Sequence, residues 1–316
     1  MNSLNVCFVG IGSIARRHIK NLRAVCSERG IALSIDAVRH SAGADKRDEG
    51  LSLRKVYTKF EEIDTEYDAF FITNPTECHL ESLSKAAKYG RNFFIEKPVA
   101  SVSQINEAEK LSIKKDAVYY VACPLRYNAV IQYLKEHVDF SRAISVRSIS
   151  SSYLPEWRPG IDYRKTYSAS KKLGGGVSID LVHEWDYLTF LIGMPRKIFY
   201  MSGRKSALEI DSEDYAVYIA EYPDKIVELH LDYFGRKTIR QIMVLTDSDT
   251  VCGDLVSNKI EFMRTGEIID FNETRDDYQI RELTHFLDMI EGRVKTDSDI
   301  AHAVRVLNLT QGKIQE

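Results

Sequence analysis

Two hydrophobic patterns divide the chain. Up to about residue 123, short apolar runs alternate with segments whose apolar residues have helical spacing. The runs that predict strands are Leu4–Val9, Leu33–Val38, a weak one near Val56, Ala69–Thr73, Asn92–Glu96 and Val118–Cys123. The predicted helices are Ser13 to about Arg29, Glu77–Tyr89 (ended by Gly90) and Ser103–Lys115. Strands that are apolar without alternation, separated by helices, predict a parallel sheet covered on both faces.

The second half has a different texture. Ala143–Tyr153 alternates apolar and polar residues, and further strand-like runs follow between residues 196 and 271 with only turns between them. These runs are Lys197–Met201, Tyr215–Glu221, Ile226–Tyr233, Gln241–Leu245, Ile260–Met263 and Ile268–Phe271. Helices are predicted at Asn128–Asp139, Val177–Leu191, Tyr278–Glu291 and Ser298–Lys313. Strands without intervening helices predict a mostly antiparallel sheet that can leave one face open.

Composition adds a domain count and excludes several partners. A chain of 316 residues suggests two domains, which we place at 1–123 and 124–316, with the option that the C-terminal helices pack back on the first. A net charge of −3 gives no reason to expect nucleic acid or an anionic membrane as partner. No apolar stretch or leader pattern predicts a membrane span or secretion. Five scattered cysteines without a C-x-x-C pair predict a reducing cytoplasm and no metal site.

A glycine-rich turn follows the first predicted strand. Gly10, Gly12 and Ala15 form G-x-G-x-x-A between this strand and the first helix. In such a turn the first glycine permits the tight bend, the second lets the backbone approach a pyrophosphate, and the small third residue lets helix and strand pack closely. The amide groups of Ser13 and Ile14 at the helix N-terminus would then face the phosphates. The sequence therefore predicts a dinucleotide site here; the alternative is a turn that binds nothing.

The end of the second strand bears on which dinucleotide is bound. An acidic residue there would bond the ribose hydroxyls and favour NAD, but this strand ends with Arg39, followed two residues later by Ser41. Arg39 and Ser41 could instead receive a 2′-phosphate, because a guanidinium pairs well with phosphate oxygens. This favours NADP and leaves NAD open; the plainer interpretation is that Arg39 is a solvated loop charge.

Three more motifs follow in order. They are Thr73-Asn74-Pro75 with His79 after the fourth strand, Glu96-Lys97-Pro98 after the fifth, and Gly174-Gly175-Gly176 leading into a helix with Asp180, His183 and Glu184. With the N-terminal glycines, this series resembles the Gfo/Idh/MocA family of oxidoreductases over nearly the whole chain. The resemblance implies an α/β protein: an N-terminal Rossmann domain with a parallel sheet, and a C-terminal α+β domain with an open, mostly antiparallel sheet.

The resemblance also implies an activity and an assembly. Hydride would pass between a nicotinamide and a carbinol carbon of a sugar, cyclitol or nucleotide-linked sugar, and the chain would form a homodimer or homotetramer through the C-terminal sheet. Thr73, Asn74, Pro75, His79, Glu96 and Lys97 would contribute to the cofactor site. Lys97, Asp180 and His183 correspond to the family's catalytic lysine, aspartate and histidine.

Residue chemistry agrees with these roles and leaves one choice open. Lys97 lies at the end of a parallel strand, where open α/β sheets bind ligands, and could hydrogen-bond the reacting oxygen. A histidine oriented by a carboxylate could take the hydroxyl proton. Asp180, His183 and Glu184 are spaced to lie on one face of a single helix. The usual family histidine lies four residues after the aspartate, whereas here Glu184 stands there, so His183 is favoured as the base with Glu184 as alternative.

The long connection before the glycines carries candidate substrate contacts. Trp157 and Tyr163 could stack on a sugar face, while Arg158 and Arg164 could hold a carboxylate or phosphate, so an anionic substrate is expected. Asp162, which lies between the two arginines, is a further candidate for contact with the substrate. Arg126, after the sixth strand, either contacts substrate or pins the domains together. The alternative for the connection is a solvent loop with internal ion pairs.

Two other functions remain to be weighed against the dehydrogenase. One is another two-domain Rossmann reductase, similar to biliverdin reductase, against which Lys97, Asp180 and His183 argue. The other is a dinucleotide-binding sensor without catalysis, which would be expected to have lost at least one of these three residues.

Overall fold

A computed structural model describes residues 1–39 and 50–314. Its strands are β1 Ser3–Val9, β2 Ala32–Val38, β3 Lys55–Tyr57, β4 Tyr67–Ile72, β5 Gly90–Ile95, β6 Tyr119–Val121, β7 Ala143–Tyr153, β8 Lys197–Gly203, β9 Tyr215–Glu221, β10 Ile226–Asp232, β11 Phe234–Thr246, β12 Thr250–Asp254, β13 Lys259–Phe262 and β14 Glu267–Asp270. Its α-helices are α1 Ser13–Glu28, α2 His79–Ala86, α3 Ile105–Glu109, α4 Ala129–His137, α5 Val177–Asp180, α6 Val182–Ile192, α7 Arg275–Ile290 and α8 Ile300–Thr310. The chain divides into two compact units, Met1–Pro124 with Arg275–Val304, and Leu125–Thr274 with Arg305–Glu316.

The first unit contains a six-stranded sheet in the order β3-β2-β1-β4-β5-β6, with every pair parallel. Phe8, Phe71 and Phe94 from its three central strands stack in a row, with centroids 4.5 and 5.1 Å apart. Phe286 of α7 meets two of these rings edge-on. The predicted Rossmann sheet, apolar on both faces, is therefore confirmed.

Several predicted elements of this unit are wrong in extent. The helix expected at Ser103–Lys115 is reduced to a 3₁₀ turn and the five residues of α3. The helix expected to end at Gly90 stops at Ala86, and Gly90 instead begins β5. A Cβ at Gly90 would lie 2.8 Å from the ring of Phe70, so this glycine serves close packing rather than helix termination.

The second unit contains an eight-stranded sheet in the order β14-β13-β12-β11-β7-β10-β9-β8. Its pairs are antiparallel except β10 with β7, which confirms the mostly antiparallel prediction. Strand β12 was missed, and β11 is far longer than the predicted Gln241–Leu245. One face stays open, because Phe199, Met201 and Ile219 are each exposed over 50–60% of their surface.

Candidate active site

The turn between β1 and α1 has the geometry that its glycines predict. Gly10 has φ of +85°, and a Cβ there would lie 2.9 Å from the Cα of Asn74. No atom of the described residues lies within 4 Å of a Cβ added at Gly12, so that part of the chain leaves the space above its backbone open. Ala15 is fully buried. Gly10 is thus required by the protein itself, whereas the open side of Gly12 is where a ligand's phosphates could approach.

The N-terminus of α1 is left without a side-chain cap. Gly12 is the N-cap residue, and neither a capping side chain nor an acidic residue is found in the first turn, which includes Ser13 and Ile14. Amide groups at a helix start need acceptors, and the helix dipole there favours an anion. The turn therefore fits a pyrophosphate by both shape and charge.

A cleft of about 520 Å³ opens beside this turn, at the carboxyl ends of the parallel strands. It is lined by residues after β1 (Gly10, Ile11), β2 (Arg39), β3 (Thr58, Lys59, Phe60) and β4 (Asn74, Pro75), and by α2 side chains including Ser82 and Lys85. Thr58, Lys59 and Phe60 were not among the residues predicted from the sequence. Their signal was topological, because they directly follow a strand whose end lies at the same edge of the sheet.

The end of the second strand contributes a cationic side chain, Arg39, to the cleft, whereas the only carboxylate of that strand, Asp36, is buried away from it. Asp36 is fully buried and accepts hydrogen bonds from Arg54 (2.7 and 3.0 Å), the Lys55 amide and the Tyr67 hydroxyl. Burial opposes ionisation of Asp36, but these bonds outweigh it and hold its pKa below the usual value. Asp36 is therefore structural, whereas Arg39 lines the cleft. Ser41 lies outside the described residues.

The segment after β4 is tied to the glycine turn on one side and to Pro98 on the other. The Thr73 hydroxyl donates to the carbonyls of Val9 and Gly10. Buried His79 places one ring nitrogen 2.9 Å from the Asn74 carbonyl and the other 3.0 Å from the Pro98 carbonyl. Burial lowers the pKa of His79. His79 thus acts as a structural bridge between the two motifs rather than as a cleft-lining group.

Lys97 is positioned by the residue before it. The Glu96 carboxylate accepts the Lys97 amide at 3.1 Å and lies 2.6 Å from Nε2 of His18, a buried residue of α1. Burial opposes ionisation of Glu96, but the His18 bond together with the charges of His18, Lys97 and His79 outweighs it and keeps the pKa of Glu96 low. His18 was missed in the sequence analysis, because nothing in its local pattern marks a partner 78 residues away.

In the second unit, the triple glycine lets the start of α5 approach two other segments. A Cβ on Gly175 would lie 1.9 Å from the Tyr167 carbonyl, and one on Gly176 would lie 2.2 Å from the Glu213 carboxylate. Gly174 and Gly176 also have positive φ, at +79° and +138°. The glycines therefore fix where α5, and Asp180 at its end, lie relative to Tyr167.

Asp180 belongs to an aromatic cluster that the sequence analysis did not assemble. The Tyr233 hydroxyl donates to Oδ2 of Asp180 at 2.5 Å, and burial together with this carboxylate raises the pKa of Tyr233. The Trp157 ring meets Tyr233 edge-on at 5.2 Å. Burial and the Asp180 carboxylate also raise the pKa of Tyr167, whose ring lies 5.9 Å from the Arg158 guanidinium.

The expectation that Asp180, His183 and Glu184 share one helix is wrong. Leu181 has φ of −99° and ψ of 27°, which ends α5 at Asp180 and lets α6 begin at Val182. Glu184 is fully buried and contacts Arg240 (2.9 Å) and the Tyr187 hydroxyl (2.6 Å). Burial raises the pKa of Glu184 despite these contacts. His183 is only half-buried.

The remaining candidates separate into paired and exposed groups. Arg126 is buried and bidentate to Asp186 (2.7 and 2.9 Å). Arg164 pairs with Asp162 and Glu209, and the Tyr163 hydroxyl accepts the Glu209 amide. The Trp157 indole donates to the Ser152 hydroxyl. We call Asp180 with Tyr233, Trp157 and Tyr167 the Asp180 cluster. Of the three arginines, exposed Arg158 is the one that contacts this cluster, through the ring of Tyr167.

Two further features, a metal centre and a membrane-spanning helix, are absent from the described residues. No group of three or more His, Cys, Asp or Glu side chains in the described ranges is arranged to hold a metal ion. Within residues 1–39 and 50–314, no helix has the length and hydropathy needed to cross a membrane.

Comparison with known proteins gives two family matches. Residues 4–123 match the oxidoreductase family with an NAD-binding Rossmann fold, and residues 131–245 match the GFO/IDH/MocA C-terminal domain. A myo-inositol 2-dehydrogenase of Thermotoga maritima is 23% identical over 197 residues, which is 60% of this chain and 55% of that protein. The chain thus aligns with only about half the length of the curated relatives that it matches.

Solved structures show the same fold over nearly the whole length. A levoglucosan dehydrogenase in complex with NADH has a TM-score of 0.84 at 14% identity, covering 98% of this chain and 95% of that one. UDP-N-acetylglucosamine 3-dehydrogenase from Acidithiobacillus ferrooxidans has a TM-score of 0.77 at 18% identity, covering 98% and 96%. With both family models matched in order, the chain belongs to the GFO/IDH/MocA family of oxidoreductases with an NAD-binding Rossmann fold.

Proposed function

We propose that this protein is an NAD(P)-dependent dehydrogenase that oxidises a carbinol carbon of a sugar, cyclitol or nucleotide-linked sugar. The observation that carries the proposal is the uncapped start of α1 beside the open backbone of Gly12, at the edge of a 520 Å³ cleft. Relatives named as dehydrogenases of myo-inositol, levoglucosan and UDP-N-acetylglucosamine support the substrate class.

The cofactor site that we propose lies within the first unit. The amides of Ser13 and Ile14 would meet the pyrophosphate, and Thr73, Asn74 and Pro75 would form the wall opposite the glycine turn. The side-chain oxygen of Asn74 is buried and has no hydrogen-bond partner among residues 1–39 and 50–314, while its amide donates to Ser82, so a ligand donor could complete it. A nicotinamide bound in this unit would supply the hydride acceptor.

We assign Lys97 to the reacting oxygen. Its backbone is held through Glu96 and His18, and the carbonyl of the following Pro98 is held by His79. An ammonium group carried by a backbone held in this way can donate a hydrogen bond to the substrate oxygen as its proton leaves. Pre-organisation of the backbone lowers the cost of holding a long side chain in one place.

We assign the proton acceptor to His183 and its orienting carboxylate to Asp180. Glu184 is engaged by Arg240 and Tyr187 and is completely buried, so taking a substrate proton would require breaking those contacts. The interruption of the helix at Leu181 changes the angular relation between Asp180 and the residues after it. On this proposal, that change is what lets a histidine three rather than four residues after the aspartate take the role.

We favour NADP as the cofactor. Arg39 and Lys59 line the cleft after β2 and β3, and Asp36, the nearest carboxylate on β2, is committed to Arg54 and Tyr67. Loss of a charge-assisted bond to a 2′-phosphate costs roughly 10- to 100-fold in affinity. Arg39→Gln should therefore raise the Kd of NADPH by that factor and leave that of NADH within about threefold.

The open face of the second sheet is the surface that we propose for self-association. Phe199, Met201 and Ile219 form an exposed apolar patch on β8 and β9. Contiguous apolar surface of this kind is typical of protein interfaces. Met201→Glu should shift the sedimentation coefficient to that of a smaller species.

Thermal shift and turnover test the proposal together. NADP⁺ or NAD⁺ at millimolar concentration should raise Tm, since a ligand that binds only the native state stabilises it. Addition of inositols, hexoses and UDP-sugars should then produce absorbance of reduced nicotinamide with at least one of them. No shift with either nucleotide would refute the cofactor assignment; a shift without turnover on the whole panel would refute the dehydrogenase assignment.

A further inference from the structure

A large bulge interrupts the pairing of β11 with β7. Phe234 pairs with Tyr153 and Ile239 pairs with Ser151, so the four residues Gly235 to Thr238 stand opposite the single residue Ser152. Bulges bend a strand away from its partner and often re-aim side chains next to active sites. This bulge carries two adjacent cations, Arg236 and Lys237, and both are exposed.

The base of the bulge is fixed rather than loose. Oδ1 of Asp232 accepts the amides of Phe234 and Gly235 (3.1 and 2.9 Å) and the Ser151 hydroxyl (2.9 Å). A Cβ at Gly235 would lie 2.0 Å from that hydroxyl oxygen, so only glycine fits this close approach. The direction in which Arg236 leaves the sheet is therefore determined by buried contacts.

Arg236 is held by an aromatic ring and not by a carboxylate. Its guanidinium lies 3.8 Å from the ring centroid of Tyr153, and among the described residues neither it nor Lys237 forms an ion pair. Three other arginines of this unit differ, because Arg126, Arg164 and Arg240 each contact an acidic side chain. Stacking leaves the edges of the guanidinium available for a bidentate contact with an oxyanion.

The bulge is connected through neighbouring side chains to the Asp180 cluster. Ser152, the residue opposite the bulge, accepts the Trp157 indole at 2.9 Å. Trp157 contacts Tyr233, which donates to Asp180. On the Tyr167 side of Asp180, exposed Arg158 provides a second guanidinium without a carboxylate partner among the described residues.

We propose that Arg236 and Lys237 of the bulge form an anion subsite that recognises a carboxylate or phosphate group of the substrate. This inference rests on the proposed function, because Asp180 marks where the reacting part of the substrate binds. It narrows the substrate class to sugars that carry an oxyanion: uronates, sugar phosphates or sugars linked to a nucleoside diphosphate. Arg164, expected from the sequence to bind such a group, is instead neutralised by Asp162 and Glu209.

The test measures binding without requiring turnover. Kd values for glucuronate, glucose 6-phosphate and UDP-N-acetylglucosamine, with glucose as the neutral reference, are determined by calorimetry on the full chain saturated with NADPH. At least one anionic probe should bind more tightly than glucose. Arg236→Gln should raise the Kd of that probe by roughly 10- to 100-fold and the Kd of glucose by less than threefold. The anionic probe whose affinity falls most identifies the recognised group.

Matched variants separate recognition from general charge and from folding. Arg264→Gln removes the same charge from an exposed turn between β13 and β14 and should leave every Kd unchanged. Arg236→Lys keeps the charge without the planar fork and should recover only part of the affinity. Each variant must melt within about 2 °C of the parent protein, as substitutions at exposed sites normally do.

Two results would overturn the subsite. One is that no anionic probe binds the parent protein more tightly than glucose. The other is that Arg236→Gln leaves the anionic probes unchanged or weakens glucose equally. Either could occur in a chain that binds NADP⁺ and oxidises a neutral sugar, which would leave the dehydrogenase assignment intact. Failure of the dehydrogenase assignment would appear separately, as absence of nucleotide-induced stabilisation or of turnover.

Discussion

The two units hold their functional groups in different ways. In the first, the contacts that fix the cofactor turn are made to the backbone: Gly10 approaches the Asn74 main chain, the Thr73 hydroxyl bonds two carbonyls, and the His79 ring contacts two more. In the second, Asp180 is held by side chains, with Tyr233, Tyr167 and Trp157 around it. A backbone-held site depends on a few glycines, whereas a site held by side chains can be altered one hydroxyl group at a time.

The largest effect should come from Lys97→Ala. Loss of a group that assists proton transfer reduces turnover by roughly 10²- to 10⁴-fold, while the glycine turn and its nucleotide affinity should be unaffected. Steady-state kinetics and nucleotide thermal shift measure the two quantities on one preparation. Lys110→Ala, at an exposed position, is the control. Unchanged turnover in Lys97→Ala would remove this lysine from the mechanism.

The next effect separates two glycines that look alike in sequence. Gly10→Ala places a side chain at φ of +85° and against Asn74, so it should lower the free energy of unfolding by about 1–3 kcal/mol. Gly12→Ala meets no atom of the residues that the structure describes and should change stability by less than about 1 kcal/mol. The substitution should nevertheless weaken NADP⁺ binding by about 2 kcal/mol, which is roughly 30-fold in Kd. Equal effects of both substitutions on melting and on binding would contradict this division.

These comparisons show which features a sequence can reveal. The roles of Gly10 and Gly12 follow from a local strand–turn–helix pattern, and the parallel sheet follows from its uniformly apolar strands. Local patterns did not reveal His18 beside Glu96 or Tyr233 beside Asp180, because those partners lie 78 and 53 residues apart. The same limit explains the unforeseen break at Leu181, where tertiary packing overrides helical spacing, and the bulge at Gly235, which depends on Ser151 and Asp232.

Removal of one hydroxyl tests the side-chain-held site. Tyr233→Phe keeps the ring against Trp157 and deletes the donor to Asp180, so stability should fall by only about 1 kcal/mol. If Tyr233 positions Asp180 for catalysis, kcat should drop about tenfold, equivalent to about 1.4 kcal/mol, with KM nearly unchanged. Tyr222→Phe, whose hydroxyl bonds the Gly193 carbonyl, is the matched control and should leave kcat unchanged. A fall in stability without a change in kcat would make Tyr233 purely structural.

The last effect concerns stability alone and depends on pH, through the contact between His18 and Glu96. Because the pKa of Glu96 is held low in the native state, its stabilisation is present above the usual carboxyl pKa and is lost as pH falls through the native value. His18→Phe keeps the ring beside Phe94 but removes the donor, which should cost about 1–3 kcal/mol at pH 7. The difference in unfolding free energy between the parent protein and His18→Phe, measured from unfolding curves, should therefore be smaller at pH 3 than at pH 7. An equal loss at both pH values would show that packing alone is affected.

Isotope transfer tests the central claim most directly. A substrate identified by turnover is deuterated at its carbinol carbons and incubated with the enzyme and oxidised cofactor. Direct hydride transfer predicts one deuterium on the reduced nicotinamide ring, detected by mass spectrometry, and none when unlabelled substrate is used in deuterated water. Reduced cofactor without substrate deuterium, or label acquired from solvent, would contradict the assignment of this protein as a dehydrogenase.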